Sequence, residues 1–292
     1  MYQPIHPRSP LETMPTMYDL PSELVGESGL PDEFHCIQAD LLTETCKPVG
    51  YEPEEILLAS DLNLYYDPRH TQWYKRPDWY MVLGVPRANQ LEELRLSYLI
   101  WQEGVMPFLI VELLSPGTED EDLGQRLREI NQPPKKWEVY ERILRVPYYV
   151  VYDRYENNLR AFKISGLRYE AISIAENRFW LNEIDLGLGL WQGSYQGTTG
   201  LWLRWYDQVG WILTSAERAE AESQRAEAES QRAEAESQRA EAESQRAEAE
   251  SQRAETESQR AETESQRAKA ESQRADKLAA YLRSQGIDPD SL

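Results

Sequence analysis

The sequence predicts an α/β domain with a mixed β-sheet, followed by one long charged helix. Three observations carry this expectation. Short β-type segments lie before and after one helix-like segment, an order that suits a sheet with both parallel and antiparallel neighbours. Phe108–Ser115 (FLIVELLS) is almost continuously apolar, as a strand covered on both faces should be. From Ala216 the chain becomes near-identical repeats of RAEAESQ, with Arg at every seventh position from 218 to 274. Ala, Glu, Gln and Arg are strong helix formers, and neither Gly nor Pro occurs from there until Gly286.

Composition separates the two parts. All nine Trp precede residue 212, and large apolar residues are nearly absent from Ala216 to Lys277. The core must therefore come from roughly the first 212 residues, a length sufficient for one domain. The net charge of −20 divides into −13 before Ala216 (32 acidic, 19 basic) and −7 after it (19 acidic, 12 basic). Two acidic halves argue against a broad basic surface that grips phosphates, though not against a small local groove. The two cysteines, Cys36 and Cys46, match no zinc spacing and are too few for a disulfide framework. MYQPIHPRSP lacks the basic start and apolar run of a signal peptide, and no stretch is long and apolar enough to cross a membrane. The expected location is the cytoplasm.

In chain order, residues 1–29 carry Pro at 4, 7, 10, 15 and 21 and read as an extended or disordered leader. Leu30 to Cys46 reads as a helix with Phe34, Ile37, Leu41 and Leu42 on one face. Ile56–Ser60 and Leu62–Tyr66 are short strands, and Asp67-Pro68-Arg69-His70 is a turn. Trp79–Val85 is a strand opened by Pro77-Asp78, and Leu96–Trp101 is another. After Phe108–Ser115, stopped by Pro116-Gly117, a helical region runs from about Glu121 to Leu144 with a break at Pro133-Pro134. Strands Tyr148–Asp153, Leu159–Ile164 and Tyr169–Ile174 follow, with a hairpin turn at Asn157-Asn158. Leu186–Leu190 and Leu201–Trp205 complete a domain spanning 30–212, and the Trp-rich stretch Trp191–Trp211 reads as core and edge-strand packing before it reads as a binding face.

The repeats predict a helix over 216–284, on the order of 100 Å long, with a flexible tail at 285–292. Glu222 with Arg225 and Arg225 with Glu229 form charge pairs that recur every heptad. A coiled coil would need a seam, and only Ser223/Ala226 or Ala228/Gln231 offers one. Either buries little, so the segment reads first as a solvated helix with weak or no self-association, and second as a coiled-coil oligomer.

Glu112 is the most informative single residue. It interrupts an apolar strand, and a buried carboxylate is costly unless it is paired or binds a cation. It reads either as a structural ion pair or as a functional acid. Asp78, at the start of another strand, reads as a turn residue in isolation. Together the two could offer oxygen ligands to Mg²⁺. Lys136 and Tyr140 stand four apart on the predicted helix, within reach of one face; Lys135 and Arg126 are rival cations. His6, His35 and His70 form no ligand spacing, and no Walker loop, HExxH or GxSxG occurs.

The strings PDWYMV (77–82), VELLSPGTEDEDLG (111–124) and KWEVYERILRVPYYVVYD (136–153) resemble the Uma family of restriction endonucleases, within the PD-(D/E)XK nuclease superfamily. The resemblance spans about 30–212. The blocks ASDLNLYYDPRH and LSYLIWQEG are similar to a cyanobacterial subgroup that often ends in charged repeats. The resemblance implies a restriction-endonuclease-like fold, a mixed sheet flanked by helices. It also implies Mg²⁺- or Mn²⁺-dependent hydrolysis of nucleic acid, with DNA as the expected partner. Residue by residue, Asp78 matches the Asp of the PD strand, Glu112 the Glu of V-E-V-L-S-P, and Lys136 the Lys of K-x-x-x-Y. Asp78 and Glu112 would hold the metal, and the three should meet in one accessible pocket. Two positions depart from the pattern: Leu114 stands where the superfamily places its usual lysine, and Pro107-Phe108 where the family often has Pro-Asp. The competing expectation is a nuclease fold kept as a non-catalytic scaffold, with the helix as spacer or partner surface.

Overall fold

The computed structural model describes residues 32–115, 122–124 and 133–286. The predicted leader, the tail beyond Gly286 and most of the expected helix before Pro133 lie outside these residues. The chain divides into two compact units, 1–217 and 218–292.

The first unit begins with α1 (Glu33–Thr45), capped by the Asp32 carboxylate, which accepts from His35 N at 3.0 Å. Twelve strands follow among the described residues. The first six are β1 (Ile56–Ala59), β2 (Leu64–Tyr65), β3 (Tyr74–Lys75), β4 (Trp79–Leu83), β5 (Tyr98–Leu99) and β6 (Leu109–Leu113). The others are β7 (Tyr148–Asp153), β8 (Asn158–Ser165), β9 (Arg168–Ala171), β10 (Arg178–Leu181), β11 (Leu186–Tyr195) and β12 (Thr198–Tyr206). The main sheet has the order β1-β4-β6-β7-β8-β9. Its β6–β7 pair is parallel and the others antiparallel, so the sheet is mixed, as the order of segments predicts. β10-β11-β12 form a second, antiparallel sheet, and β3-β2-β5 a small third one.

Alternation along the central strands supplies two cores. Trp79, Met81, Leu109, Val111, Val150 and Tyr152 face α1 and the second sheet, meeting Ala39, Leu42, Leu188 and Trp205. Tyr80, Val82, Ile110, Tyr149 and Val151 face the opposite way, onto Tyr98, Val139 and Tyr140. β4, β6 and most of β7 are buried on both faces, which explains their unbroken apolar sequence. Phe108, just before β6, packs on the first core, its ring tilted by 51° to that of Tyr148 at 5.3 Å between centroids.

Several elements differ from the sequence reading. Leu96–Trp101 is a strand only at β5, because the backbone turns at once into α2 (Ile100–Glu103), closed by Gly104 at φ 72°. Beyond Pro134, the helical region expected up to Leu144 is a short α-turn α3 (Lys136–Glu138) running into a π-helical turn, Val139–Ile143. Residues 133–135 are not helical. β3 and β10 were not expected. β11 and β12 extend well past their predicted ends, because Gly193 and Gly200 hide the alternation there.

Helix α4 (Ser215–Ser284) is one continuous run of 70 residues with no buried residue, about 105 Å long at the standard rise. Thr214 and Glu217 form a reciprocal capping box: Glu217 N donates to Thr214 Oγ1 at 3.2 Å, and Thr214 N to Glu217 Oε2 at 2.8 Å. Glu217 also pairs with Arg204, a fully buried arginine whose guanidinium donates to Ile212 O at 2.7 Å. The first turn of the helix is thus part of the first unit. No described helix is long and apolar enough to cross a membrane.

Candidate active site

The strand register brings two acids together. Trp79 pairs with Val111 and Tyr80 with Ile110, antiparallel. Extending that register by one residue sets Asp78 opposite Glu112, where directly opposed Cβ atoms lie about 4.5–5.5 Å apart. Asp78 Oδ2 accepts from the backbone N–H of Leu113 at 2.5 Å, which fixes its carboxylate at the end of β6.

Lys136 reaches the acids from α3. Its Nζ lies 3.0 Å from Glu112 Oε2 and 3.1 Å from Asp122 Oδ1. Tyr140, one turn further on, donates its hydroxyl to Glu112 Oε1 at 2.8 Å. The spacing of four places both groups on one helix face, as expected for i,i+4. Trp137 sets the rotation of the helix, packing edge-on against Tyr149, Phe162 and Tyr169 at 4.9–5.8 Å between ring centroids. The π-turn at Val139–Ile143, closed by Leu144 N to Val139 O at 2.8 Å, continues directly from this helix. Of the rival cations, Lys136 is the one these contacts join to Glu112; Arg126 lies outside the described residues.

Asp122 is a third carboxylate that sequence reasoning missed. Tyr149 holds its segment by donating to Asp122 O at 2.9 Å. Gly124 lets the segment pass over Trp137: its φ is +69°, and a Cβ there would stand 2.9 Å from Trp137 Cγ. Asp122 belongs to the run Glu119-Asp120-Glu121-Asp122, in which no local signal distinguishes one acid from the next. His35, set aside for lack of ligand spacing, also arrives here. Its Nε2 is 2.9 Å from Leu113 O and 3.8 Å from Asp78 Oδ2, and its Nδ1 is 2.7 Å from Asp32 Oδ1.

Burial and crowding of like charge dominate the electrostatics. Burial pushes the Asp78 carboxyl up to about 7, against the pull of Lys136 and of the Leu113 N–H, while Asp122 and Asp61 push it further up. Burial likewise raises Glu112 well above the usual carboxylate range, with Asp78 and Asp122 adding to the effect and Lys136 opposing it. Burial pulls Lys136 down, but Asp122, Glu112 and Asp78 overcome it and hold the ammonium well above its ordinary value. Two of these acids thus contact one lysine with Asp78 close by, and the raised carboxyls mark a site short of positive charge.

The expected accessible pocket is met only in part. The side chains of Lys136 and Asp78 are 14% and 16% exposed, but Asp122 is 3% exposed and Glu112 not at all. Two surface clefts, one including Arg95 and Glu103 and one including Arg178 and Asp207, contain none of these residues.

The donor set suits a hard divalent cation. All three acids offer carboxylate oxygens, and Asp122 Oδ1 is buried without a hydrogen bond despite its closeness to Lys136. Among the described residues, no group of three His, Cys, Asp or Glu stands at ligand geometry. The fit is therefore to a site with two carboxylates whose remaining ligands are water or phosphate, as Mg²⁺ commonly takes.

The sequence profile of the Uma2 family, described as “Putative restriction endonuclease”, matches residues 11–194, well over half of the chain. The chain belongs to this family. The Uma2 match contains Asp78, the strand bearing Glu112 and the helix bearing Lys136, and it stops before β12 and the charged helix. Among solved structures, the crystal structure of a “putative nuclease belonging to DUF820” from Anabaena variabilis is similar at 14% identity and a TM-score of 0.37. The likeness covers 53% of this chain and 74% of that one. A comparison with curated proteins gives no match.

Proposed function

We propose that the domain is a metal-dependent endonuclease that hydrolyses phosphodiester bonds in nucleic acid, DNA being the substrate class favoured. The observation that carries this reading is the meeting of Glu112 and Asp122 on the Lys136 ammonium, at 3.0 and 3.1 Å, beside the cross-strand Asp78. Asp78 and Glu112 would hold Mg²⁺ or Mn²⁺, which supplies Lewis-acid polarisation of the phosphate and activation of water. Lys136, kept charged by the surrounding acids, offsets negative charge that builds on the phosphate oxygens. Tyr140 and Lys136 together fix the Glu112 carboxylate, so little reorganisation is needed when substrate arrives.

A scaffold without catalysis is the second reading, and one observation favours it. Glu112 has no exposure, and both its oxygens already have partners within the chain. The two readings separate in a nuclease assay of the full chain on DNA and RNA with Mg²⁺ or Mn²⁺. The endonuclease reading expects cleavage that Glu112→Gln abolishes while circular dichroism and melting show a retained fold. No cleavage with either metal, or cleavage that survives Glu112→Gln, would overturn it.

A further inference from the structure

Arg76 stands two residues before Asp78 and has no part in the mechanism above. Its Nε is buried and has no hydrogen-bond partner among the described residues. Such a donor is costly to leave unmet, so the guanidinium has bonding capacity that the described residues do not use. The backbone holds this segment in place beside the acids: Asp61 N donates to Pro77 O at 3.2 Å, tying the turn after β1 to the peptide between Arg76 and Asp78. Burial raises the Asp61 carboxyl, and Arg76 opposes this, followed by His35 and Lys136. Asp61 in turn raises Asp78. Arg76 therefore belongs to the same electrostatic neighbourhood as Asp78 and Lys136.

Exposure adds a second argument. Arg76, Asp61, Asp78 and Lys136 are all partly exposed, whereas Glu112 and Asp122 are buried. These four are the members of this neighbourhood that solvent touches. There, a phosphodiester anion meets an excess of carboxylates, in a chain with a net charge of −20. One lysine engaged with two acids does not offset that repulsion, and a planar guanidinium suits a phosphate best.

We propose that Arg76 is a phosphate-binding residue of this site, its guanidinium taking an oxygen of the nucleic-acid phosphate that lies against Asp78 and Lys136. This rests on the nuclease reading and adds the residue that admits the substrate. The alternative is a structural partner for Asp61 alone.

Binding by the full chain carrying Glu112→Gln, which blocks cleavage under the nuclease reading, tests it. A fluorescein-labelled DNA duplex of roughly 20 base pairs, followed by anisotropy with Ca²⁺ from about 50 to 200 mM salt, reads affinity and salt dependence. Adding Arg76→Ala should lower affinity about tenfold and reduce the slope of log K against log salt by about 0.9, the share of one phosphate. Arg76→Lys should restore the slope but only part of the affinity, because an ammonium lacks the fork. Arg76→Gln, closer in bulk, replaces the alanine variant if that one fails to fold. A lower Tm with unchanged affinity and slope makes Arg76 a structural partner of Asp61, overturning this inference while the nuclease reading stands. If the unsubstituted chain neither binds nor cleaves the duplex, both fall together.

Discussion

Replacing Lys136 with Met should destabilise the domain strongly, in a way that depends on pH and on divalent cations. The Lys136 side chain is 14% exposed and touches Glu112 and Asp122, which are 0% and 3% exposed. Removing one member of a buried pair and leaving the other charged costs about 3–5 kcal/mol. For a domain of this size, each kcal/mol shifts Tm by roughly 2–4 °C, so the expected fall is about 6–20 °C near pH 8. The carboxylates can escape the penalty by taking protons, and burial already raises Glu112 and Asp78. Near pH 5 the variant and the parent should therefore melt much closer together. Millimolar Mg²⁺ near pH 8 should stabilise the variant more than the parent, because the cation replaces the missing positive charge. Thermal melts followed by circular dichroism, with Mg²⁺ or with a chelator, read all three effects. A Tm shift below about 2 °C near pH 8 would show that the ion pair contributes little, and the argument from uncompensated buried charge would fail.

Three further outcomes are expected. Asp78 titrates near 7 when folded, above its ordinary 3.8, so its protonated form contributes stability that is fully present below about pH 4 and lost as pH rises through 7. In urea melts without metal, Asp78→Asn should gain on the parent across that window; parallel curves would contradict it. A chain shortened to 1–225 should melt like the full chain, whereas 1–214 lacks Glu217, leaves Arg204 without its carboxylate and should lose about 1–3 kcal/mol. Equal melting of the two would remove Glu217 from the fold. The isolated 216–284 peptide should be helical in the cold yet monomeric at micromolar concentration, since no large apolar seam exists; a tight dimer in sedimentation would refute this.

The sequence alone determined those features whose cause is local. The charged helix follows from a run of strong helix formers without Gly or Pro, and it needs no partner to be recognised. β6 and β7 were legible because strands buried on both faces must be continuously apolar. Glu112 stood out as the one charge in such a strand, and Lys136 with Tyr140 could be paired because helix geometry sets residues four apart on one face. Tertiary structure decided what depends on contacts distant in sequence. Asp122 is selected from four consecutive acids only by Tyr149, from another strand, and by the space that Gly124 leaves over Trp137. His35 reaches Leu113 across 78 residues, a distance no ligand spacing can register. Tyr98–Leu99 pairs as a strand because β2 lies beside it, and the chain then coils into α2, a change of state that its apolar pattern does not record. The burial of Glu112, and with it the tension between a catalytic and a structural role, comes from packing around β6 rather than from any property of the segment itself.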